Sequence, residues 1–270
     1  MTTLEHGLSI EHNTSSVGKS MSQMHEHSYY ELYFLLSGKR RYLIKDTVYE
    51  IEPGNLMMIP KNQLHRTIAP AKSGYDRYAV YFFDCHADLL TAMIGSEAFD
   101  TLIHSGCLQF SPSVAAAIQT DLEQLHRILM APQPYAAALT THLFNGIMLR
   151  ALQYGSSKER LSDKNADRIQ FIAQYISKNF QEEITLASAA KMAGFEKTYF
   201  SKLFRSITGF GFQDYLLQTR VLAAEQLLQR SDLSINMIAE SCGFSGGNYF
   251  GDVFRRYRGI SPTEYKKTFE

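Results

Sequence analysis

Two hundred and seventy residues with 45% apolar and 20% charged side chains make a chain long enough for two domains of about 100 to 200 residues each. That composition excludes a disordered or collagen-like polymer. The balance of 27 Lys plus Arg against 27 Asp plus Glu excludes a uniformly basic nucleic-acid coat or an acidic tail, while leaving room for a local basic face.

The first twenty residues lack the apolar stretch of a signal peptide, and no apolar run approaches the ~18 to 20 residues of a membrane span, so a cytoplasmic protein is expected. Cys85, Cys107 and Cys242 are widely spaced, unlike a disulfide framework or a paired-Cys zinc site, and are read as reduced and buried. From Glu31 to Phe83 short runs rich in Tyr, Val, Ile, Leu and Phe alternate with turn residues, the pattern of an antiparallel sandwich or barrel. Strands are predicted over 31–36, 41–45, 47–52, 56–59 and 77–83, with turns at Ser37-Gly38, Lys45-Asp46 and Pro53-Gly54. The period then changes. Ser111-Pro112 starts a helix with Pro at its first position, and Val114, Ile118, Leu122, Leu125 and Leu129 recur at three- and four-residue spacing. Pro132 and Pro134 interrupt it, and a second helix is predicted over 135–154. These helices cover the sheet, pair with a second copy of the chain, or do both. The polar stretch 155–165 reads as a linker. It divides a half with 13 basic and 16 acidic residues (1–163, net −3) from one with 14 and 11 (164–270, net +3).

Beyond the linker an internal repeat of about fifty residues stands out. Ile184, Leu186, Ala190, Gly194 and Phe195 match Leu233, Ile235, Ala239, Gly243 and Phe244 at an offset of 49. Phe200, Phe204, Arg205, Gly209 and Tyr215 then match Phe250, Phe254, Arg255, Gly259 and Tyr265 at an offset of 50. Each copy is a short helix, a Gly-Phe corner and a second helix, the layout of a helix-turn-helix. In the second helices the Phe pairs at i, i+4 face the core. The opposite face of the first carries Lys197, Thr198, Ser201, Lys202 and Arg205, which suit a major groove; that of the second carries Gly247, Asn248, Asp252, Arg255 and Arg256. The helical segment 212–230 between the copies, about 28 Å long, is comparable to the ~34 Å between successive major grooves.

With Arg220, Ala224, Leu227 and Leu228 of an Arg-x-x-x-Ala-x-x-Leu-Leu pattern, residues 166–267 resemble the duplicated helix-turn-helix domain of the AraC family of bacterial transcription regulators. The resemblance implies double-stranded operator DNA as partner, base reading by Thr198, Ser201 and Lys202 in the first helix and by Gly247, Asn248 and Asp252 in the second, and phosphate contacts by Arg205, Arg255 and Arg256. This chain departs from the family by carrying Gly246, Gly247, Gly251 and Asp252 where larger polar or basic side chains are usual; Asp252 accepts from a cytosine amino group or repels phosphates.

In the first half, His25-x-His27-x3-Glu31-x6-Gly38, and Gly54-x5-Pro60 followed by His65, resemble the cupin barrel of the family's sensor half, with Lys19, Asn62 and Ala69 departing from its motif. On a strand His25 and His27 share one face, and with Glu31 and His65 they make a competent set for a first-row divalent metal, or they contact a polar ligand together with Tyr33 and Tyr81. No cofactor is required by this reading. The expected fold is α+β multidomain: a cupin-like ligand-sensing barrel (1–111), a helical dimerisation segment packed on it (112–154), a linker (155–165) and an all-α double helix-turn-helix domain (166–270). The expected function is transcription regulation by a homodimer responding to a small molecule, a sugar by family analogy, with RNA polymerase as partner if it activates. A metal-binding cupin enzyme or metal sensor with a helical protein-interaction domain is the alternative; no nucleophile-base-orienter set supports catalysis, and Asp84, Cys85 and His86 are merely adjacent.

Overall fold

A computed structural model describes residues 7–18, 20–21, 24–44, 47–69, 74–131, 134–158 and 164–269. The turn expected at Lys45-Asp46, the motif departure at Lys19, the helix break at Pro132 and residues 159–163 of the expected linker lie outside the described residues. The chain divides into two compact units, Met1–Leu161 and Ser162–Glu270. No described helix is long and apolar enough to cross a membrane.

The first unit opens with strands β1 (Leu8–Ser15), β2 (Tyr30–Gly38), β3 (Arg40–Ile44), β4 (Thr47–Ile51), β5 (Leu56–Ile59), β6 (His65–Ile68) and β7 (Tyr75–Phe82). Helices α1 (Asp84–Ile94) and α2 (Ser96–Ile103), strand β8 (Cys107–Gln109), helices α3 (Pro112–Met130) and α4 (Ala136–Tyr154) and strand β9 (Ser156–Ser157) complete it. The strands form two sheets, β1-β7-β2-β5-β8-β9 and β4-β3-β6, so of the sandwich or cupin-like barrel expected the sandwich is seen, without closure into one barrel among the described strands. Every named pairing is antiparallel, with Glu31 opposite Tyr81 and Ile59.

Period-two alternation gives the larger sheet two buried faces. Leu32, Phe34, Val80 and Phe82 pack under Ile118, Leu122 and Leu125 of α3 and Phe144, Ile147 and Met148 of α4. At about 1.5 to 3 kcal/mol for each large apolar side chain fully removed from water, this layer holds the helices onto the sheet. Tyr33, Leu35, Met57 and Ile59 point the other way, toward Tyr42 and Ile51 of the smaller sheet. Helix α3 starts as Ser111-Pro112 predicts, the Ser111 hydroxyl accepting from the Val114 N–H. The sheet also reaches into the stretch read as linker: β9 pairs with Leu108 and Gln109, and Lys158 Nζ reaches Glu52 Oε2 at 2.7 Å.

The second unit contains α5 (Lys164–Asn179), α6 (Leu186–Met192), α7 (Lys197–Thr208), α8 (Phe212–Arg230), α9 (Ile235–Ser241), α10 (Gly247–Arg258) and α11 (Pro262–Lys267). The two copies of the repeat are α6–α7 and α9–α10. Gly194 and Gly243 take φ of +69° and +77° at their corners, a left-handed turn that glycine enters without a Cβ penalty. An added Cβ at Gly243 would also meet the Gln181 backbone at 2.7 to 2.9 Å, so the second corner sits directly on the chain that follows α5.

Helix α8 belongs to both copies. Phe212 and Tyr215 join the rings of Phe200 and Phe204, while Leu217, Val221, Ala224 and Leu228 pack with Phe244, Phe250 and Phe254. Buried contact on both sides stiffens the rod between the copies, and Glu225 of α8 pairs with Arg258 of α10.

Candidate functional site

Two regions collect chemistry, one in each unit. In the helical unit the aromatic pairs bury one face of each second helix, Phe200, Phe204, Phe250 and Phe254 all being inaccessible, and turn the other face outward. Lys197, Thr198, Lys202 and Arg205 on α7 are exposed and Ser201 is half-buried, so the predicted polar set lies together on the free face. On α10 Asn248, Asp252, Arg255 and Arg256 are exposed. Among the described residues Lys197, Lys202, Arg205 and Arg255 have no acidic partner within ion-pair distance, whereas Arg256 Nη2 lies 3.3 Å from Asp214 Oδ1. Both groups of that pair are about half or more exposed, and such a surface pair exchanges easily for another anion.

The N-termini of the two second helices differ. Glu196 caps α7, its carboxylate accepting from the Thr198 and Tyr199 N–H groups at 2.8 and 3.1 Å, and these bonds hold its pKa below the usual range. Gly246 precedes α10 without a side-chain cap. A Cβ on Gly247 would fall 2.1 Å from Asn236 Oδ1, so the side chain of α9 fills the place that a larger residue would take. Gly247 therefore brings no side chain to a base edge, and the second helix presents Asn248 and Asp252.

Sequence reasoning missed Tyr199 and Tyr249, equivalent in the repeat, exposed, and set edge-on against Phe195 and Phe244. The Tyr-Phe doublet at the offset of 50 was the available signal.

In the β unit a cavity of about 190 Å³ lies between the sheets. At one end His25 and His27 line it, and the structure brings them together with the buried His65, the ligand-capable nitrogens all within 4.8 Å of one another. They arrive differently from the expected shared strand. His25 is an isolated bridge to His65 and His27 lies in the irregular approach to β2, where their backbones need not alternate. The His25 N–H donates to the His65 carbonyl at 3.1 Å and the His65 N–H returns the bond at 3.0 Å, so the register holds the rings 4.1 Å apart.

Glu31 enters from β2, buried, with Oε2 3.1 Å from His27 Nε2 and 3.4 Å from His65 Nε2, and with Oε1 accepting from Tyr42 Oη at 3.3 Å. Burial alone would raise its pKa, but the His27 and His65 contacts outweigh burial and hold the carboxyl well below the carboxylate range. Burial pushes His25 down to about 4, helped by the neighbouring His65. The other ring nitrogens are fixed as well: His27 Nδ1 meets the Tyr29 carbonyl and His65 Nδ1 the Gln63 carbonyl, each at 2.7 Å. A carbonyl only accepts, so both Nδ1 atoms carry the proton, and in a neutral ring Nε2 then offers its lone pair.

Tyr33 and Tyr81, which the sequence offered for ligand contact, line the same cavity, and so do Arg40 and Arg77, which sequence reading passed over. For Arg77 the signal was its place in β7, two residues from Tyr75 and four from Tyr81 and so on their face of the strand. The cysteines form no disulfide; Cys107 and Cys242 are buried as expected, but Cys85 is exposed, on the side of the first turn of α1 away from the buried His86 and Ala87.

The profile described as an AraC-like ligand binding domain matches residues 15–147, and that described as a helix-turn-helix domain matches residues 189–268. The Msm operon regulatory protein of Streptococcus mutans is 24% identical over 246 residues, 89% of this chain and 85% of its own length. The HTH-type transcriptional activator RhaS of Pectobacterium carotovorum is 24% identical over 253 residues, 88% of this chain and 85% of its own. The match to the HTH-type transcriptional regulator YijO of Escherichia coli, 28% identical, covers 55% of this chain and about half (52%) of that protein. Among solved structures, the DNA-binding domain of AdpA in complex with a target DNA is 30% identical with a TM-score of 0.37, covering 40% of this chain and 94% of that one. ToxT from Vibrio cholerae is 16% identical with a TM-score of 0.39, covering 97% and 98%.

Proposed function

The chain belongs to the AraC family of bacterial transcription regulators, and from that premise we propose that a small molecule in the β-unit cavity alters how two recognition helices, α7 and α10, engage operator DNA. The observation that carries this reading is the duplicated helix-turn-helix with unpaired cations on its free faces, joined by a doubly buried helix α8 of 19 residues. At about 1.5 Å per residue α8 spans roughly 28 Å, comparable to the ~34 Å between successive major grooves, which supports readers in neighbouring grooves on one side of B-DNA. Thr198, Ser201 and Lys202 read base edges; Arg205 and Arg255 bind phosphates; Arg256 does so by leaving Asp214. With Gly247 contributing no side chain, the first helix carries most of the discrimination.

Two substitutions separate these roles. Lys202→Ala is expected to weaken binding by about 1 to 3 kcal/mol with relaxed preference at particular bases, and Arg255→Ala to weaken all sequences alike and lower the salt slope of log affinity by about one. Gel shifts on a set of single-base operator variants at several salt concentrations check both, and a sequence-uniform loss for Lys202→Ala removes it from base reading.

A ligand shifts DNA binding only through different affinities for two arrangements of the protein. The arrangement we propose is dimeric. Leu139, Leu149, Tyr135 and Tyr154 on or beside α4, and Met130 at the end of α3, are exposed although apolar, a set suited to a second copy of the chain. Light scattering is expected to give a dimer, and a concentration-independent monomer contradicts it. The assembly works in the cytoplasm, with RNA polymerase as the further partner where it activates, and no catalytic role is proposed.

The donor chemistry of the histidine cluster fits a metal. Two Nδ1 atoms are committed to carbonyls, which leaves both Nε2 atoms directed at one carboxylate oxygen, an arrangement that a cation between them would satisfy. His25, His27 and His65, with Glu31 beside them, would hold a first-row divalent ion, supplying a Lewis-acidic point for an effector oxygen. Elemental analysis is expected to find one ion per chain in the wild type and none in His65→Ala; equal metal in both would remove these residues as its ligands. Stoichiometric metal in a protein that retains no DNA would instead favour a metal sensor or cupin enzyme.

A further inference from the structure

The cavity has a second end, chemically unlike the histidine cluster. Arg77 from β7 lies with its guanidinium carbon 5.5 Å from the Tyr33 ring, and Arg40 from β3 lies 4.4 Å over Tyr75. Arg77 Nη2 stands 3.5 Å from Glu11 Oε2, a half-exposed carboxylate that also accepts from Tyr81 Oη. Arg77 Nη1 is buried and has no hydrogen-bond partner among the described residues. The same holds for Tyr33 Oη, in a side chain only 2% exposed. Burial pushes the Tyr33 hydroxyl up to about 12, so it keeps its proton and remains a donor.

Buried donors without acceptors cost free energy, most of all when charged, and two of them on residues that line one cavity are available to a ligand. Glu31 is the one carboxylate among the described lining residues, and His27 and Tyr42 already engage it. What is missing beside Arg77 and Tyr33 is an acceptor, negative and able to take more than one hydrogen bond, which describes a carboxylate. Where a cavity of ~150 Å³ holds the six carbons of a benzene ring, one of about 190 Å³ holds roughly eight non-hydrogen atoms, the size of an acid of three or four carbons.

We infer that the cavity binds a small hydroxy or keto acid, its carboxylate on Arg77 Nη1 and Tyr33 Oη and its other oxygens toward His25 and His27; this rests on the proposed ligand-binding role of the β unit. A neutral sugar leaves the two donors without their charged partner. Glu31, Arg77 and the tyrosine hydroxyls therefore select by charge before shape.

Isothermal titration calorimetry on the 270-residue chain with glycerate, malate and 2-oxoglutarate, against glycerol and erythritol, tests the inference. At least one acid is expected to bind at least a hundredfold more tightly than either polyol. Tyr33→Phe is expected to weaken that acid about tenfold while leaving the ligand-free protein as heat-stable as the wild type or more so, since it deletes an unpartnered buried hydroxyl. Arg77→Gln is expected to weaken the acid at least a hundredfold, and should it fail to fold, Tyr33→Phe decides. Polyols binding as well as the acids, no acid binding at all, or unchanged acid affinity in Tyr33→Phe would each overturn the inference. Acid binding that is lost in Tyr33→Phe but never changes DNA affinity would leave it standing and overturn the regulatory reading instead.

Discussion

Replacing Phe204 by alanine is expected to destabilise the helical unit by about 3 to 5 kcal/mol and to erase protection of one half of the operator. The ring is completely buried and touches Phe200, Phe212 and Tyr215, with centroids 5.5 to 5.7 Å away. No neighbour can swing in to fill the hole, because all three rings are themselves held between α7 and α8. A loss of that size is a large share of the ~5 to 15 kcal/mol that keeps a domain folded. The mirror substitution, Phe254→Ala, empties the equivalent place against Phe250 and Tyr265 and is expected to erase the other half of the site. Urea denaturation gives the stability, and footprinting of each variant shows which half is lost; two variants that lose the same half would contradict the assignment of one helix to each.

Arg220→Ala is the second large effect. Its guanidinium is nearly buried, Nε donates to the Phe180 carbonyl at 2.7 Å, and Nη2 donates to the Glu182 carbonyl at 2.8 Å. The charge also lies 6.0 Å from the Phe244 ring. One side chain of α8 thus ties down the chain leaving α5 and supports the corner of the second copy, where Gly243 rests on Gln181. Removing it leaves two carbonyls without donors, and at about 1.5 to 3 kcal/mol for a hydrogen bond to a charged group, a loss of about 3 kcal/mol is expected in urea denaturation. Arg220→Lys restores one point contact but not the fork, so it should recover only part of the loss. A destabilisation below about 1 kcal/mol for Arg220→Ala would show that the clamp contributes little.

The helical unit was the more legible half because its repeat is written in residues that cannot be exchanged cheaply. Phenylalanines at i, i+4, glycine at each corner and an uninterrupted helical period located α7, α10 and α8, whose limits at Phe212 and Arg230 agree with the predicted segment. Strands β2 to β5 and β7 were readable for a similar reason, each being a short apolar run closed by turn residues, to within two residues at either end. Strand β1 was missed because only Leu8 and Ile10 show alternation before the sequence turns polar. Helices α1 and α2 were missed because α1 buries only His86, Ala87 and Leu90 and α2 is eight residues long, too little for a clear stripe.

At the β-unit site the spacing of His25, His27, Glu31 and His65 was visible in the sequence, but their geometry was not. The histidines meet through a backbone bridge between distant segments, which no local period encodes. Arg77 went unnoticed because a cation on a strand reads as solvent-facing; its burial follows from the second sheet covering the inner face, a tertiary fact. The role of Gly247 was hidden in the same way, since it is Asn236 on a different helix that occupies the space beside it.

Hydroxyl-radical footprinting of the 270-residue chain on its operator most directly tests the claim that α7 and α10 act together across α8. Two protected patches on the same side of the duplex, their centres about 10 to 10.5 base pairs apart for each protein chain, are the expected result. A lone patch, or patches on opposite sides of the helix, would contradict it.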